Sequence, residues 1–364
     1  MIVYYGRIDI SASPFSDVPD IVNYRQMAMA SPGLDETVSR NFGYRILMPY
    51  IAGLMPFDVD MSFYILTILM SLAIPFIFFR FLKVYGLKEE NAFYLTLLFL
   101  AGRYVFGYPA WNYYDVNDLL THILILLFFI SLKKDKFFSM GLILAVGVVN
   151  RETILFIVPP ALFYYAVIHK DRKKSLKFVS SFMPAVLILI LIRSLIITES
   201  ADTPGIIHSL GKLRFDDTNK IFNPATYYRL VNTFIPLTFI PLVFFKTARS
   251  FFRKNPHFLI FVIIYFASCF LAGDTERLIV PMFPVFFLLI GIIFEKYGFY
   301  ELKARIIVLF ACLVSIPHHQ YFRFRLPGRD WKVVISLITL LFVTAYLYKF
   351  KKDKINALDN NPDL

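Results

Sequence analysis

Five short stretches of the chain place acids, arginines and aromatic residues where a phosphate or a polyol could be handled. In SDVPDIVNYRQMAMA, Asp17 and Asp20 stand at the head of a helical run, where a carboxylate can act as a general base or as half of a metal pair. The same Asp-x-x-Asp, with Pro19 in the first turn, also has the spacing of a helix-start capping box. Tyr24 follows Asp20 by one helical turn and shares its face. In FGYRILMPYIAG, Arg45 precedes an amphipathic run. Its guanidinium can grip a phosphate through a bidentate fork, or snorkel to lipid headgroups.

In PAWNYYDVNDLLTH, Trp111, Tyr113 and Tyr114 lie beside Asp115 and Asp118. Flat aromatic faces suit a sugar ring and carboxylates suit its hydroxyls, although an interfacial aromatic belt and a helix cap use the same residue types. In VVNRETILF, Arg151 and Glu152 separate two strongly apolar runs. Ionisable groups at such a depth are costly and mark a functional site, and adjacent helical residues do not face each other to form a simple ion pair. In AGDTERLIVPMFPVFF, Glu276 and Arg277 repeat that pattern. Arg277 enters the membrane edge at a helix start, where the dipole also favours an anionic lipid phosphate, and Pro281 and Pro284 kink the segment behind it. Elsewhere the signals are weaker. His208, His318 and His319 lack the spacing of a helical metal site, and Asp216-Asp217 reads as a solvated loop pair. No Walker loop, dinucleotide motif or Gly-x-Ser-x-Gly elbow is present, which excludes hydrolysis of a cytoplasmic nucleotide.

The elements that must position these residues are membrane helices. Of 364 residues, 58% are hydrophobic and only 18% charged, against roughly 25% charged in a soluble domain. Apolar runs long enough to cross a bilayer lie near 61–82, 91–107, 117–132, 137–149, 152–168, 178–197, 230–246, 257–272, 278–294, 305–317 and 331–348. The fold class is therefore all-α: a polytopic transmembrane bundle of about 11 segments. Residues 1–60 form an external first loop with interfacial helices near 19–30 and from Tyr44 to Phe57, 61–348 the transmembrane domain with an external loop at 198–229, and 349–364 a basic cytoplasmic tail.

Charge sets the sidedness. Segments 80–90, 133–136, 169–177, 246–256, 295–305 and 349–364 carry 22 Lys and Arg against 9 Asp and Glu, and they alternate with the remaining segments. The basic set is expected in the cytoplasm, leaving the five motifs outside, on the plasma (inner) membrane of a prokaryote. Topology thus accounts for the net charge of +12, and no nucleic-acid partner is expected. Cys269 and Cys312 fall inside apolar segments and form no loop disulfide framework. The start, MIVYYGRIDIS, does not read as a cleavable signal peptide, so the external first loop leads us to expect a preceding transmembrane helix in relatives of this chain.

In order and shared sidedness, the five motifs resemble those of the GT-C superfamily of integral-membrane glycosyltransferases, in particular its uncharacterised bacterial members. The resembling points run from residue 15 to about 285: Asp near the start of an external first loop, the F-x-Y-R-x-L-x-P stretch, an aromatic loop ending in Tyr-Asp, an R-E-T turn, and an E-R turn followed by proline. The resemblance implies transfer of a hexosyl or pentosyl sugar from a polyprenyl-phosphate donor to a glycan, lipid or protein acceptor, with inversion, for the cell envelope. Asp17 or Asp20 would be the base, with Asp17 the choice. Arg151, Arg277 and Arg45 would hold phosphate, and Trp111, Tyr114, Asp115, Glu152 and Glu276 would meet the sugar. No cofactor is expected, and a divalent metal only if the donor is a diphosphate. Two other classes share the topology: a polymerase or ligase of lipid-linked polysaccharide, which should rely on a larger external loop, and a flippase or transporter, which should carry charges near the membrane midplane.

Overall fold

The computed structural model describes residues 7–8, 18–35, 37–196, 224–269, 275–315 and 329–360. Among them every regular element is helical. The principal helices are α1 (Pro19–Ala30), α2 (Leu47–Leu54), α3 (Val59–Val84), α4 (Glu89–Leu100), α5 (Val116–Lys133), α6 (Phe137–Asn150), α7 (Arg172–Leu195), α8 (Pro224–Asn232), α9 (Pro256–Ser268), α10 (Thr275–Lys296), α11 (Leu302–Ser315) and α12 (Arg329–Asn360). Five helical stretches are long and apolar enough to cross a membrane: α3, Tyr113–Lys133, α7, α10, and Val333–Lys354 within α12. Three shorter apolar helices are Phe137–Asn150, Glu152–Ile168 and Pro256–Ser268. The protein is a helical membrane protein.

Three of the expected segments differ from simple spans. The run 91–107 leaves the α-helix after Leu100 and resumes as a separate π-helical turn, Arg103–Gly107. The run 230–246 is not one helix: α8 ends at Asn232, and Pro236 and Pro241 lie in turns and a short helix, Ile240–Val243. Proline lacks the N–H that an uninterrupted helix would need there. The last helix runs the other way, past the expected edge at 348 to Asn360, so the basic stretch expected as a tail continues the helix. Lys351 ties it down by donating to the Val243 carbonyl at 2.7 Å.

The core is organised around α5. The best window of Tyr113–Lys133 is 94% buried and that of α7 only 11%, which makes α5 the central helix and α7 a lipid-facing one. Helix α5 packs on α3 and α6, and α6 on α7. At the last of these contacts Gly141 lets the backbones meet, because a Cβ there would sit 2.2 Å from the Ser181 carbonyl oxygen. Large apolar side chains left exposed on α3 and α7, among them Phe76, Leu187 and Ile190, face outward as lipid contacts would.

The described part of residues 1–60, expected as an external first loop, folds onto one end of this bundle. Helix α1 occupies the range expected from the sequence and packs on α2 and on the short 3-10 turn Tyr113–Asp115 that leads into α5. The α1–α2 crossing depends on Gly53, where a Cβ would lie 2.1 Å from the Ala28 carbonyl oxygen. Ile8 adds a strap, donating from its amide to the Trp111 carbonyl at 3.0 Å.

Candidate active site

Asp20 and Asp115 sit where helix caps are expected, yet neither is used as one. The N-cap of α1 is Val18 and makes no side-chain cap bond, while Asp115 holds the N-cap position of α5 without capping it. Both carboxylates turn instead to Arg277, in the first turn of α10: its Nη1 donates to Asp20 and its Nη2 to Asp115 Oδ1 at 2.8 Å. The remaining edge of the guanidinium, Nε, donates to Asp118 Oδ2 at 2.9 Å. Asp118 gives its other oxygen to Arg151 Nη1. Asn112 completes the cluster, donating to Asp115 Oδ2 at 2.6 Å.

The cluster therefore joins four regions that are far apart in sequence: α1, the start of α5 with the turn that leads into it, the break after α6, and α10. Its five charged side chains are between 0% and 14% exposed, Asp20 being the most accessible. Charges so desolvated persist only when they are paired and hydrogen-bonded, and each guanidinium here lies against carboxylate oxygens. With three aspartates and two arginines the formal sum is −1.

A second pair adjoins the first. Arg45 meets Glu152 at 3.6 Å and donates from Nη1 to the Tyr24 hydroxyl at 3.3 Å. Tyr24 stands one turn beyond Asp20 on α1, so a single helix face serves both groups. Burial pushes the Tyr24 hydroxyl above the ordinary phenol range, while the Arg45 charge beside it pulls the other way. Arg151 and Glu152, adjacent in sequence, thus go to different partners. The Nε groups of both Arg45 and Arg151 are buried and have no acceptor among the described residues.

Asp17 lies outside the described residues. Glu276 turns away from its neighbour Arg277 and accepts from the Tyr104 hydroxyl at 3.4 Å, which in turn accepts from Arg103 Nη2 at 3.1 Å. Trp111 and Tyr114 are buried, with the Tyr114 ring 4.7 Å from that of Phe63 and its hydroxyl donating to Asp60. Both rings support the turn that carries Asp115, and neither shows the open face expected of a sugar platform.

Sequence reasoning named Asp118 beside Asp115, which it follows by three residues on the same face, but only as a carboxylate for sugar hydroxyls and not as the partner of two arginines. It also passed over Asn112, and over Arg103, whose Nη1 donates to Asn232 Oδ1 at 2.8 Å. Arg103 opens a π-helical turn, Arg103–Gly107, of the kind that often marks functional segments, but nothing in its local sequence announces that turn.

The fold is similar to that of ArnT from Cupriavidus metallidurans bound to undecaprenyl phosphate, with a TM-score of 0.54 and 13% identity over 92% of this chain and 68% of that one. ArnT from the same organism in the apo state aligns with a TM-score of 0.50 and 12% identity, over 90% of this chain and 70% of that one. No family model and no curated protein matches the chain. At this identity the likeness is one of fold.

Proposed function

We propose that the protein is a membrane glycosyltransferase that moves a sugar from a polyprenyl-phosphate donor to an acceptor hydroxyl at the outer face of a prokaryotic plasma membrane. The observation that carries this is the aspartate–arginine cluster centred on Arg277, set in a fold shared with a protein that binds undecaprenyl phosphate. In this reading the basic loops and the C-terminus are cytoplasmic, and α1 and the cluster face outward.

In this mechanism Asp20 is the general base, supported by its place at the accessible edge of the cluster with Arg277 as its ion-pair partner. A donor phosphate oxygen displaces Asp20 from Nη1 of Arg277 and leaves the carboxylate free to accept a proton. The acceptor oxygen loses its proton to Asp20 and attacks the anomeric carbon. The bond from that carbon to the phosphate oxygen breaks, its electron pair stays on the phosphate, and the centre inverts. The leaving phosphate gains a negative charge, which preorganised guanidiniums stabilise. The unsatisfied Nε groups of Arg45 and Arg151 are the further donors for it. Asp115 and Glu152 are the carboxylates for sugar hydroxyls. A monophosphate donor is assigned no divalent metal, with the arginines as the cations that meet the phosphate.

The test is transfer of radiolabelled sugar from polyprenyl-phosphate donors in membranes containing the wild type, Asp17→Asn, Asp20→Asn or Arg277→Ala at matched expression. Loss in Asp20→Asn and Arg277→Ala, with Asp17→Asn active, is the expected result. Loss only in Asp17→Asn moves the base to that residue. A wild type that transfers nothing across a panel of donors, yet moves labelled lipid between leaflets, establishes a transporter instead.

A further inference from the structure

Lys133 ends α5, about 22 Å along the helix from Asp118 at 1.5 Å per residue, so its surroundings belong to the opposite membrane face. A cavity of about 120 Å³ lies there, lined by Tyr85, Lys133, Tyr164, Asn255 and His257 with an apolar floor. A single water needs roughly 10–15 Å³ of such space, so the cavity admits a larger group.

Its chemistry is cationic and donor-rich. The Lys133 ammonium stands 5.9 Å from the centre of the Tyr85 ring and pairs with no carboxylate among the described residues. His257 is 3% exposed, and its Nδ1 has no hydrogen-bond partner among the described residues. The His257 ring lies 4.8 Å from that of Tyr164, which lies 4.4 Å from the ring of exposed His169. Helix α9 starts at Pro256, between Asn255 and His257, and so adds the positive end of its dipole. No acid lines the cavity. Asp135, two residues beyond Lys133, is already held by Lys174 at 2.7 Å and by the Tyr165 hydroxyl at 3.0 Å.

The Asn255 amide and the Tyr85 hydroxyl already donate to the Phe251 and Phe129 carbonyls, each at 3.1 Å. The Lys133 ammonium, the unpartnered Nδ1 of buried His257, the Tyr164 hydroxyl and the α9 start surround a space larger than a water and form a receptor for a tetrahedral oxyanion. We propose that this cavity binds a phosphate group, at the membrane face opposite the aspartate–arginine cluster. Inorganic phosphate and the headgroup of an anionic lipid offer the same chemistry. The site is independent of sugar transfer, since it shares no residue with the outer cluster.

The experiment uses the full chain purified in phosphate-free nonionic detergent. Its Tm is followed against inorganic phosphate, and again in nanodiscs of phosphatidylcholine with and without phosphatidic acid. Lys133→Gln is the principal variant because the side chain is exposed and its loss spares the fold, with His257→Phe as the second. Lys134→Gln, an exposed neighbour that does not line the cavity, controls for general surface charge. The expected result is a saturable rise in Tm whose midpoint moves about tenfold in Lys133→Gln and is unchanged in Lys134→Gln, as loss of one charge-assisted bond implies. A response to inorganic phosphate identifies a free anion, and a response to phosphatidic acid alone identifies a lipid headgroup. No response of the wild type to either probe, or equal shifts in the two lysine variants, overturns the proposal.

Discussion

Asp118 and Arg277, 159 positions apart in the chain, are joined at 2.9 Å between Oδ2 and Nε, and Asp118 uses its other oxygen for Arg151. One carboxylate thus separates two buried guanidiniums that would otherwise repel each other. Replacing Asp118 by Asn keeps the shape and removes the charge both arginines rely on. Breaking a buried ion pair from one side costs about 3–5 kcal/mol. Asp118→Asn should therefore lower the Tm of the purified protein by several degrees and abolish sugar transfer, whereas a Tm equal to wild type would show the two arginines to be stabilised by other means.

Asp20 should behave differently. Its carboxylate is the most accessible of the cluster, and among the described residues its ion pair is with Arg277. Asp20→Asn is expected to leave the Tm close to that of wild type while cutting transfer by about 10²–10⁴, the usual contribution of a general base. Comparing kcat with KM separates the roles: a base affects kcat, and a residue that only positions α1 affects KM as well.

Gly53 tests whether α1 must lie where it does. An added Cβ would come within 2.1 Å of the Ala28 carbonyl oxygen, so Gly53→Val must push α1 off α2. Overpacking of this kind costs about 1–3 kcal/mol. The displacement should also carry Asp20 and Tyr24 out of register with Arg277 and Arg45, so transfer should fall further than that of a variant destabilised equally at the distant Gly141. Equal losses in the two variants would mean that only global stability matters.

The helical membrane character and the range of α1 were legible in the sequence because apolar content and a Pro-marked helix start are local signals. Arg151 and Arg277 stood out as candidates because each interrupts an apolar run, and Asp20 because it heads the Pro-marked helix. Which carboxylate meets which guanidinium was not legible. Asp118 reads locally as a first-turn acid, and its role depends on the arrival of Arg277 and Arg151 from other helices. The burial of Trp111 and Tyr114 was not legible for a related reason: aromatic composition does not reveal which ring face is covered, and here Phe63 and Tyr113 pack against Tyr114. The broken run at 230–246 shows the limit of counting apolar residues where prolines interrupt them.

Asp135 provides a pH-dependent term at the opposite face. Burial pushes its carboxyl up, but hydrogen bonds from Lys174 and the Tyr165 hydroxyl outweigh that and hold it below the ordinary carboxylate range. A group depressed in the folded state stabilises above its unfolded pKa of about 3.9 and loses that contribution as pH falls through its lower folded value. The Tm difference between wild type and Asp135→Asn should therefore be present at neutral pH, shrink as pH falls through the acidic range, and be reduced by high salt because the pair is exposed. A difference independent of pH would assign the effect to packing of Tyr165.

The sidedness of the two faces can be read without any substrate. Cys269 and Cys312 are both buried, so a membrane-impermeant thiol reagent should give little background on the native chain. Arg25 on α1 and Lys134 after α5 are exposed. In right-side-out vesicles Arg25→Cys should be labelled and Lys134→Cys protected, and the pattern should reverse in inverted vesicles. Labelling of both positions from one side would place the aspartate–arginine cluster and the Lys133 cavity on the same face. The about 22 Å of α5 between Asp118 and Lys133 would then have to lie along the membrane surface, which a helix buried on all sides among other apolar helices could not do without unpacking the core.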